Sequence, residues 1–81
     1  MPITVRFYGP YRDIVGEDFI TMKDRGLKTV ADVVQAVAKR HPKIGPQLAS
    51  ANLALNHMSA DPLTHVRPGD TVAIFPFVAG G

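Results

Sequence analysis

The segment KTVADVVQAVAKRHP, residues 28–42, constrains the fold more than any other part of the chain. Thr29 and Asp32 have the spacing of a capping box at a helix start, and Pro42 ends the helix. The i, i+3, i+4, i+7 spacing of one buried stripe is filled by four valines: Val30, Val33, Val34 and Val37. Because valine is a poor helix former by itself, this helix needs another element on which to pack its stripe.

Strand patterns lie on both sides of the helix and supply that element. Residues 3–8 alternate, and their apolar members are Ile3, Val5 and Phe7. Residues 17–23 and 53–56 are two further strand candidates, and residues 71–77 form the last. A short helical turn is possible within residues 43–52. The sequence therefore predicts an α+β fold of ββαββ order, with one main helix packed on a small mixed sheet.

One face of this predicted sheet has no helix to cover it. By strand alternation, that face carries four large side chains: Arg6, Tyr8, Phe75 and Phe77. Aromatic residues on an uncovered face indicate a surface for a partner. The alternative is that Phe77 folds back into the core and that Phe75 is a single exposed aromatic residue.

Composition and charge exclude several classes of protein. The chain has 81 residues, no cysteine and a net charge of +2, which leaves no disulfide framework, thiol nucleophile or cysteine-ligated metal. The opening lacks a signal-peptide pattern, and no apolar run approaches the roughly 20 residues that span a membrane. We therefore expect a cytoplasmic protein without a membrane partner. The basic residues within 39–43 lie at the end of the predicted helix, where cations complement the helix dipole, so we expect no nucleic-acid partner either.

The side chains do not provide a recognisable active site. The serines lack a G-x-S-x-G context, and the histidines lack the spacing of a metal-ligand pair. Asp61 and Asp70 belong to turns, where aspartate binds its own backbone. The sequence therefore predicts no metal site and no catalysis by this chain alone.

The C-terminal carboxylate is the reactive group that remains. It follows Gly80 and Gly81, and glycine without a Cβ can pass through a narrow channel. The alternative is a frayed terminus that contains glycines by chance.

The whole chain resembles one family in several stretches that occur in the right order. These are FYGPYRDIVG at residues 7–16, the helical segment at 28–42, LALNH at 53–57 and RPGDTVAIFPFVAGG at 67–81. They resemble the MoaD/ThiS family of ubiquitin-like sulfur carriers, and within it the small subunits of molybdopterin synthase. Two positions depart from the family pattern, Thr71 in place of glutamate and Phe77 in place of a second proline.

The resemblance implies a β-grasp domain over residues 1–77 and a flexible tail over residues 78–81. It implies that an E1-like adenylyltransferase activates Gly81 with ATP and that a sulfur donor converts it to a thiocarboxylate, with no cofactor bound to the chain. The implied acceptor partner is the large subunit of molybdopterin synthase, in a heterotetramer. The tail that enters this partner consists of Val78, Ala79, Gly80 and Gly81, and the docking residues are Phe75, Pro76, Phe77, Tyr8 and Arg6.

Other functions stay open at this point. The carrier can serve the synthesis of thiamine or cysteine, or the thiolation of tRNA, although the long segment at residues 43–52 favours the molybdopterin type. A protein modifier that forms an amide with a target lysine is a second class. A β-grasp interaction domain with an incidental Gly-Gly pair is a third.

Overall fold

The computed structural model describes residues 1–23 and 26–76. Its elements, in chain order, are β1 (Ile3–Phe7), α1 (Pro10–Val15), β2 (Phe19–Met22), α2 (Val30–Arg40), a 3₁₀ helix (Gly45–Ser50), β3 (Ala51–Leu55), β4 (Met58–Ser59) and β5 (Thr71–Pro76). Residues 24, 25 and 77–81, which include the whole predicted tail, lie outside the described residues.

The strands form one mixed sheet in the order β2-β1-β5-β3-β4. β1 and β5 pair in parallel at its centre, whereas the other neighbours are antiparallel. The predicted α+β architecture with one main helix on a small mixed sheet is confirmed. The sequence analysis missed β4, because a strand of two residues has no periodicity to detect.

The N-terminus of α2 forms the predicted capping box. The backbone N–H of Asp32 donates to Oγ1 of Thr29 at 3.3 Å. The Asp32 carboxylate in turn accepts hydrogen bonds from the backbone N–H groups of Lys28, at 2.9 Å, and Thr29, at 3.1 Å. These donors stabilise the ionised form, so the pKa of Asp32 lies below its ordinary value, with the Lys28 N–H as the main cause.

The hydrophobic core lies between α2 and one face of the sheet. Val30, Val33 and Val37 on α2 are completely buried, as the valine stripe predicts, whereas Val34 is only partly buried. On the sheet side, they meet the apolar members of β1 and β5: Ile3, Val5, Phe7, Val72 and Ile74. The short helix α1 also contributes, since its Tyr11 joins this core. The opposite face of the sheet does not contribute to this core.

The helices within residues 1–23 and 26–76 do not combine the length and the apolar character that crossing a membrane requires.

Candidate functional site

The distal face of the sheet, on the side opposite α2, carries predicted docking residues. Arg6 on β1 is the register partner of Phe19 on β2 and of Ala73 on β5. Phe75 lies two residues beyond Ala73 and is opposite Asn52 on β3. Because register partners project to the same side of a sheet, these five residues form one continuous surface. We call it the distal patch: Arg6, Phe19, Asn52, Ala73 and Phe75.

Arg6 and Phe19 form the part of the distal patch with the clearest geometry. The guanidinium carbon of Arg6 lies 5.7 Å from the centroid of the Phe19 ring, within the range of a cation–π contact. Phe19 is nevertheless 50% exposed, so half of its surface is available to a partner. Arginine and aromatic side chains contribute disproportionately to binding at protein interfaces.

Tyr8 and Pro76 lie at the same end of the sheet, where β1 and β5 finish. The backbone N–H of Tyr8 donates to the carbonyl oxygen of Ile74 at 3.0 Å, and the Tyr8 side chain is 44% exposed. Pro76 is the register partner of Ala51, and its carbonyl oxygen is 3.5 Å from Nδ2 of Asn52. Pro76 is thus the point from which the chain continues toward Gly81.

Gly9 packs directly against the ring of Pro76. A Cβ built on Gly9 would lie 3.2 Å from Cγ and 3.3 Å from Cδ of Pro76. Gly9 also has a φ of 59°, a conformation that other residues adopt only with strain. Glycine is therefore favoured at position 9 for two independent reasons, the positive φ and the close contact with Pro76.

Several predicted site residues cannot be placed in this arrangement. Phe77, Val78, Ala79, Gly80 and Gly81 lie outside the described residues. The structure brings Arg6 and Phe75 together on the distal patch and places Tyr8 and Pro76 at its end. Their roles in docking stay predictions.

Asp61 and Asp70 stabilise turns, as the sequence predicts. Asp61 accepts from the backbone N–H of Leu63 and Asp70 from that of Arg67, each at 2.8 Å. Within residues 1–23 and 26–76, His, Asp and Glu side chains form no group of three that can hold a metal ion.

A model of the ThiS family matches residues 5–81. The match contains the distal patch, Gly9, Pro76 and the Gly-Gly pair. The chain belongs to the ThiS family. It is thus a member of the ubiquitin-like sulfur carriers, and small carriers of the ThiS and MoaD type are not enzymes themselves.

Solved structures share the fold of this ThiS-family chain. SAMP1, the small archaeal modifier protein 1 of Haloferax volcanii, matches with a TM-score of 0.87, 21% identity and 100% coverage of both chains. A chain of the BexX/CysO complex of Amycolatopsis orientalis matches with a TM-score of 0.79 and 27% identity, over 98% of this chain and 99% of that one.

A further match is a chain in the complex of subunits 1 and 2 of the molybdopterin-converting factor from Helicobacter pylori 26695. Its TM-score is 0.71, with 27% identity and 100% coverage of both chains. The structures from A. orientalis and H. pylori are both protein–protein complexes. Curated protein sequences give no significant match to the chain.

Four residues of this site in the ThiS-family chain were not predicted from the sequence: Gly9, Phe19, Asn52 and Ala73. Phe19 had a detectable signal, because Ile20 and Met22 are the inward positions of β2 and Phe19 alternates with them. Gly9 had a weaker one, because a Gly-Pro pair is typical of a turn, but only the paired strands β1 and β5 bring Gly9 onto Pro76.

Proposed function

We propose that this ThiS-family protein carries sulfur as a thiocarboxylate on Gly81 and donates it to a pterin precursor, as the small subunit of molybdopterin synthase. The observation that carries the proposal is the segment RPGDTVAIFPFVAGG, residues 67–81, which lies wholly within the family match. It joins the central strand β5 to the Gly-Gly pair. The sulfur is thus carried on a backbone carboxyl group of a chain that contains no cysteine.

The proposed activation of Gly81 takes place in two steps on an E1-like adenylyltransferase. A carboxylate oxygen of Gly81 attacks the α-phosphorus of ATP, and pyrophosphate leaves. Sulfide released by the donor, as HS⁻, then attacks the acyl carbon, AMP leaves with one of the original carboxylate oxygens, and the S–H proton passes to water, which leaves the thiocarboxylate. ATP and the sulfur donor act in trans in this scheme, and the carrier holds no cofactor of its own.

The structure supports the proposal through the position of the distal patch. Pro76 ends the central strand, and the five residues that follow can extend to about 17 Å. When a partner binds the distal patch, Gly81 can therefore reach positions within about 17 Å of Pro76. We propose that the distal patch, together with Tyr8, Pro76 and Phe77, docks in turn on the adenylyltransferase and on the large synthase subunit.

A carrier for a different sulfur acceptor is the second candidate function. The chain of the BexX/CysO complex is as similar in sequence as the chain of the molybdopterin-converting factor, at 27% each, and its TM-score is higher. Thiamine synthesis, cysteine synthesis and tRNA thiolation are the pathways in question. The higher TM-score of SAMP1 concerns the fold alone, so a role as a protein modifier has less support.

The experiment that tests the proposal is an intact-mass measurement. The protein is incubated with an E1-like adenylyltransferase, ATP and sulfide, beside a variant without Gly81. We expect the mass to rise by the difference between sulfur and oxygen in the full chain only. No rise with several competent adenylyltransferases would refute the carrier proposal.

A second step of the same experiment identifies the acceptor. The thiocarboxylated protein is mixed with the large subunit of molybdopterin synthase and its pterin precursor, and the dithiolene product is measured. Product formation with loss of the extra mass supports the molybdopterin assignment. Stable thiocarboxylate without product would favour the second candidate.

A further inference from the structure

β2 is an edge strand whose outer side presents backbone hydrogen-bonding groups. In the order β2-β1-β5-β3-β4, it has a neighbour on one side only among the described strands. The backbone N–H of Phe7 donates to the carbonyl oxygen of Asp18 at 2.9 Å, so these two residues are a hydrogen-bonded pair of the β1–β2 ladder. Hydrogen-bonded and non-hydrogen-bonded pairs alternate in an antiparallel ladder. The N–H and C=O groups of Phe19 and Thr21 therefore point away from β1, toward the outer side.

Arg40 of α2 contacts this outer side and confirms its direction. Nη1 of Arg40 donates to the carbonyl oxygen of Thr21 at 3.0 Å. Within residues 1–23 and 26–76, the outward groups of Phe19 and Thr21 make no other hydrogen bond. Open clefts border the same edge, and Thr21 and Arg40 line them. α2 therefore leaves the outer side of β2 accessible to another strand.

The two edges of the sheet differ in their capacity to accept a further strand. β4, at the opposite edge, consists of Met58 and Ser59 alone, and so short an edge strand is a usual protection against pairing with another chain. β2 has four residues, Phe19–Met22, and its ladder with β1 continues to Asp18. A strand that extends this sheet is therefore expected at β2.

The charges beside β2 make this edge complementary to itself. Glu17 lies two residues before Phe19, and Lys23 lies two residues after Thr21, and the side chains of Glu17 and Lys23 are exposed. Two β2 strands can pair antiparallel with Ile20 opposite Ile20 on a two-fold axis. In that register, Glu17 of each copy faces Lys23 of the other, so the symmetry produces the ion pair twice. Opposite charges at facing positions stabilise an antiparallel strand pair.

We propose that the protein associates with a second copy of itself through the outer edges of the two β2 strands. The Phe19 N–H of each copy donates to the Thr21 carbonyl oxygen of the other. The Thr21 N–H donates in return to the Phe19 carbonyl oxygen, and the two sheets become one. Arg40 releases the Thr21 carbonyl oxygen when the strands pair.

The association does not depend on sulfur transfer and leaves the distal patch accessible. Strand pairing uses the edge of the sheet, whereas the distal patch lies on its face. Phe19 belongs to both, since its backbone pairs at the edge and its side chain projects from the face. Because facing residues project to the same side of a sheet, the two distal patches lie on one continuous face.

The first test measures the oligomeric state of the wild type and of charge variants. Sedimentation equilibrium at concentrations up to about 1 mM, which suits a weak association, should show a dimer. Glu17→Lys and Lys23→Glu should each raise the dimer Kd at least about tenfold, because each sets like charges against each other in both symmetric pairs. A monomer at every concentration would overturn the proposal and would leave Arg40 as the side chain that closes this edge.

Lys43→Glu is the matched control for the charge variants. It makes the same change of net charge as Lys23→Glu, at an exposed residue beyond the end of α2. We expect this variant to keep the wild-type Kd. An equal rise in Kd for Lys43→Glu and Lys23→Glu would contradict an interface at β2.

A mixture of the two charge variants tests the register. Glu17→Lys places positive charge at both facing positions, and Lys23→Glu places negative charge at both. A heterodimer of these chains has opposite charges at every facing position, so the mixture should associate with about the wild-type Kd. A mixture that associates no more strongly than its components would contradict the proposed pairing of Glu17 with Lys23.

Backbone amides locate the interface, and a proline blocks it. At high concentration, the N–H groups of Phe19 and Thr21 should become protected from hydrogen exchange. Thr21→Pro removes one of these outward donors without a loss from the β1–β2 ladder, and proline is tolerated at such edge positions. We expect this variant to be monomeric, with its fold checked by circular dichroism. If it fails to fold, the charge variants decide the question. A dimer that protects neither amide would overturn the proposal.

Discussion

Arg6 and Phe19 stack on the distal face of the sheet, with 5.7 Å between the guanidinium carbon and the centroid of the ring. They are register partners on β1 and β2, and Phe19 keeps half of its surface exposed. The contact restricts the rotamers of the long Arg6 side chain. A binding surface prepared in this way loses less conformational entropy on association.

Phe19→Ala should weaken binding to the partner proteins and leave the fold almost unchanged. We expect the Kd for the adenylyltransferase or the large synthase subunit to rise about fivefold or more, which corresponds to at least about 1 kcal/mol. The measurement is isothermal titration calorimetry. Leu63→Ala is the control, because Leu63 is 79% exposed and follows Pro62, whose carbonyl oxygen binds the start of α2 on the other side. An equal rise in Kd for both variants would contradict docking through the distal patch.

An alanine added after Gly81 should abolish thiocarboxylate formation. The extra residue replaces the glycine carboxylate by a peptide bond and moves the new carboxylate beyond the Gly-Gly pair. Intact mass after incubation with adenylyltransferase, ATP and sulfide checks this, and circular dichroism checks that the fold is kept. The same residue added before Met1, which is 87% exposed, is the control. Full activity of the extended chain, with no trimming back to Gly81, contradicts the mechanism.

Asp32→Asn should destabilise the protein at neutral pH and lose that effect in acid. The pKa of Asp32 is lowered in the folded state, so its carboxylate contributes stability that is fully present above the unfolded value of 3.8. That contribution is lost as the pH falls below 3.8 and through the folded pKa. We would measure the urea midpoints of the wild type and of Asp32→Asn from neutral pH to strong acid. The two midpoints should converge at the acid end.

Thr29→Ala is the matched variant for this pH series. It removes the hydroxyl that accepts from the Asp32 backbone N–H, at a cost of about 1 kcal/mol. Because the Thr29 side chain is only a minor cause of the lowered pKa of Asp32, this difference from the wild type should vary less with pH than that of Asp32→Asn. A parallel pH dependence of the two variants would argue against the carboxylate as the source of the effect.

Val33→Ala should lower the free energy of unfolding by about 2 kcal/mol. Val33 is completely buried on the α2 stripe, and the change deletes two methyl groups and leaves a cavity beneath the sheet. Urea denaturation measures the difference. Gln35→Ala on the same helix is exposed and should change stability by less than about 0.5 kcal/mol. A similar loss of unfolding free energy in both variants would mean that burial of the valine stripe does not stabilise the fold.

The local elements could be predicted because each has a short-range cause. The alternation of β1 and the capping box of α2 depend on neighbours only a few residues away, and both are present in the structure. The predicted starts of β2 and β3 were wrong by two residues each. β2 begins at Phe19 rather than at residue 17, and β3 begins at Ala51 rather than at residue 53. Strand ends depend on the partner strand, which a local pattern does not contain.

The sequence by itself determined that one valine-striped helix packs on a small sheet, that one sheet face carries Arg6 and Phe75, and that the chain resembles a sulfur carrier with a Gly-Gly tail. Only the tertiary structure decided that Phe19 stacks beside Arg6 and that Pro76 rests on Gly9. Both contacts follow from strand register and from the order β2-β1-β5-β3-β4. Register is set when the core faces of distant strands are buried together, and no local pattern encodes that event.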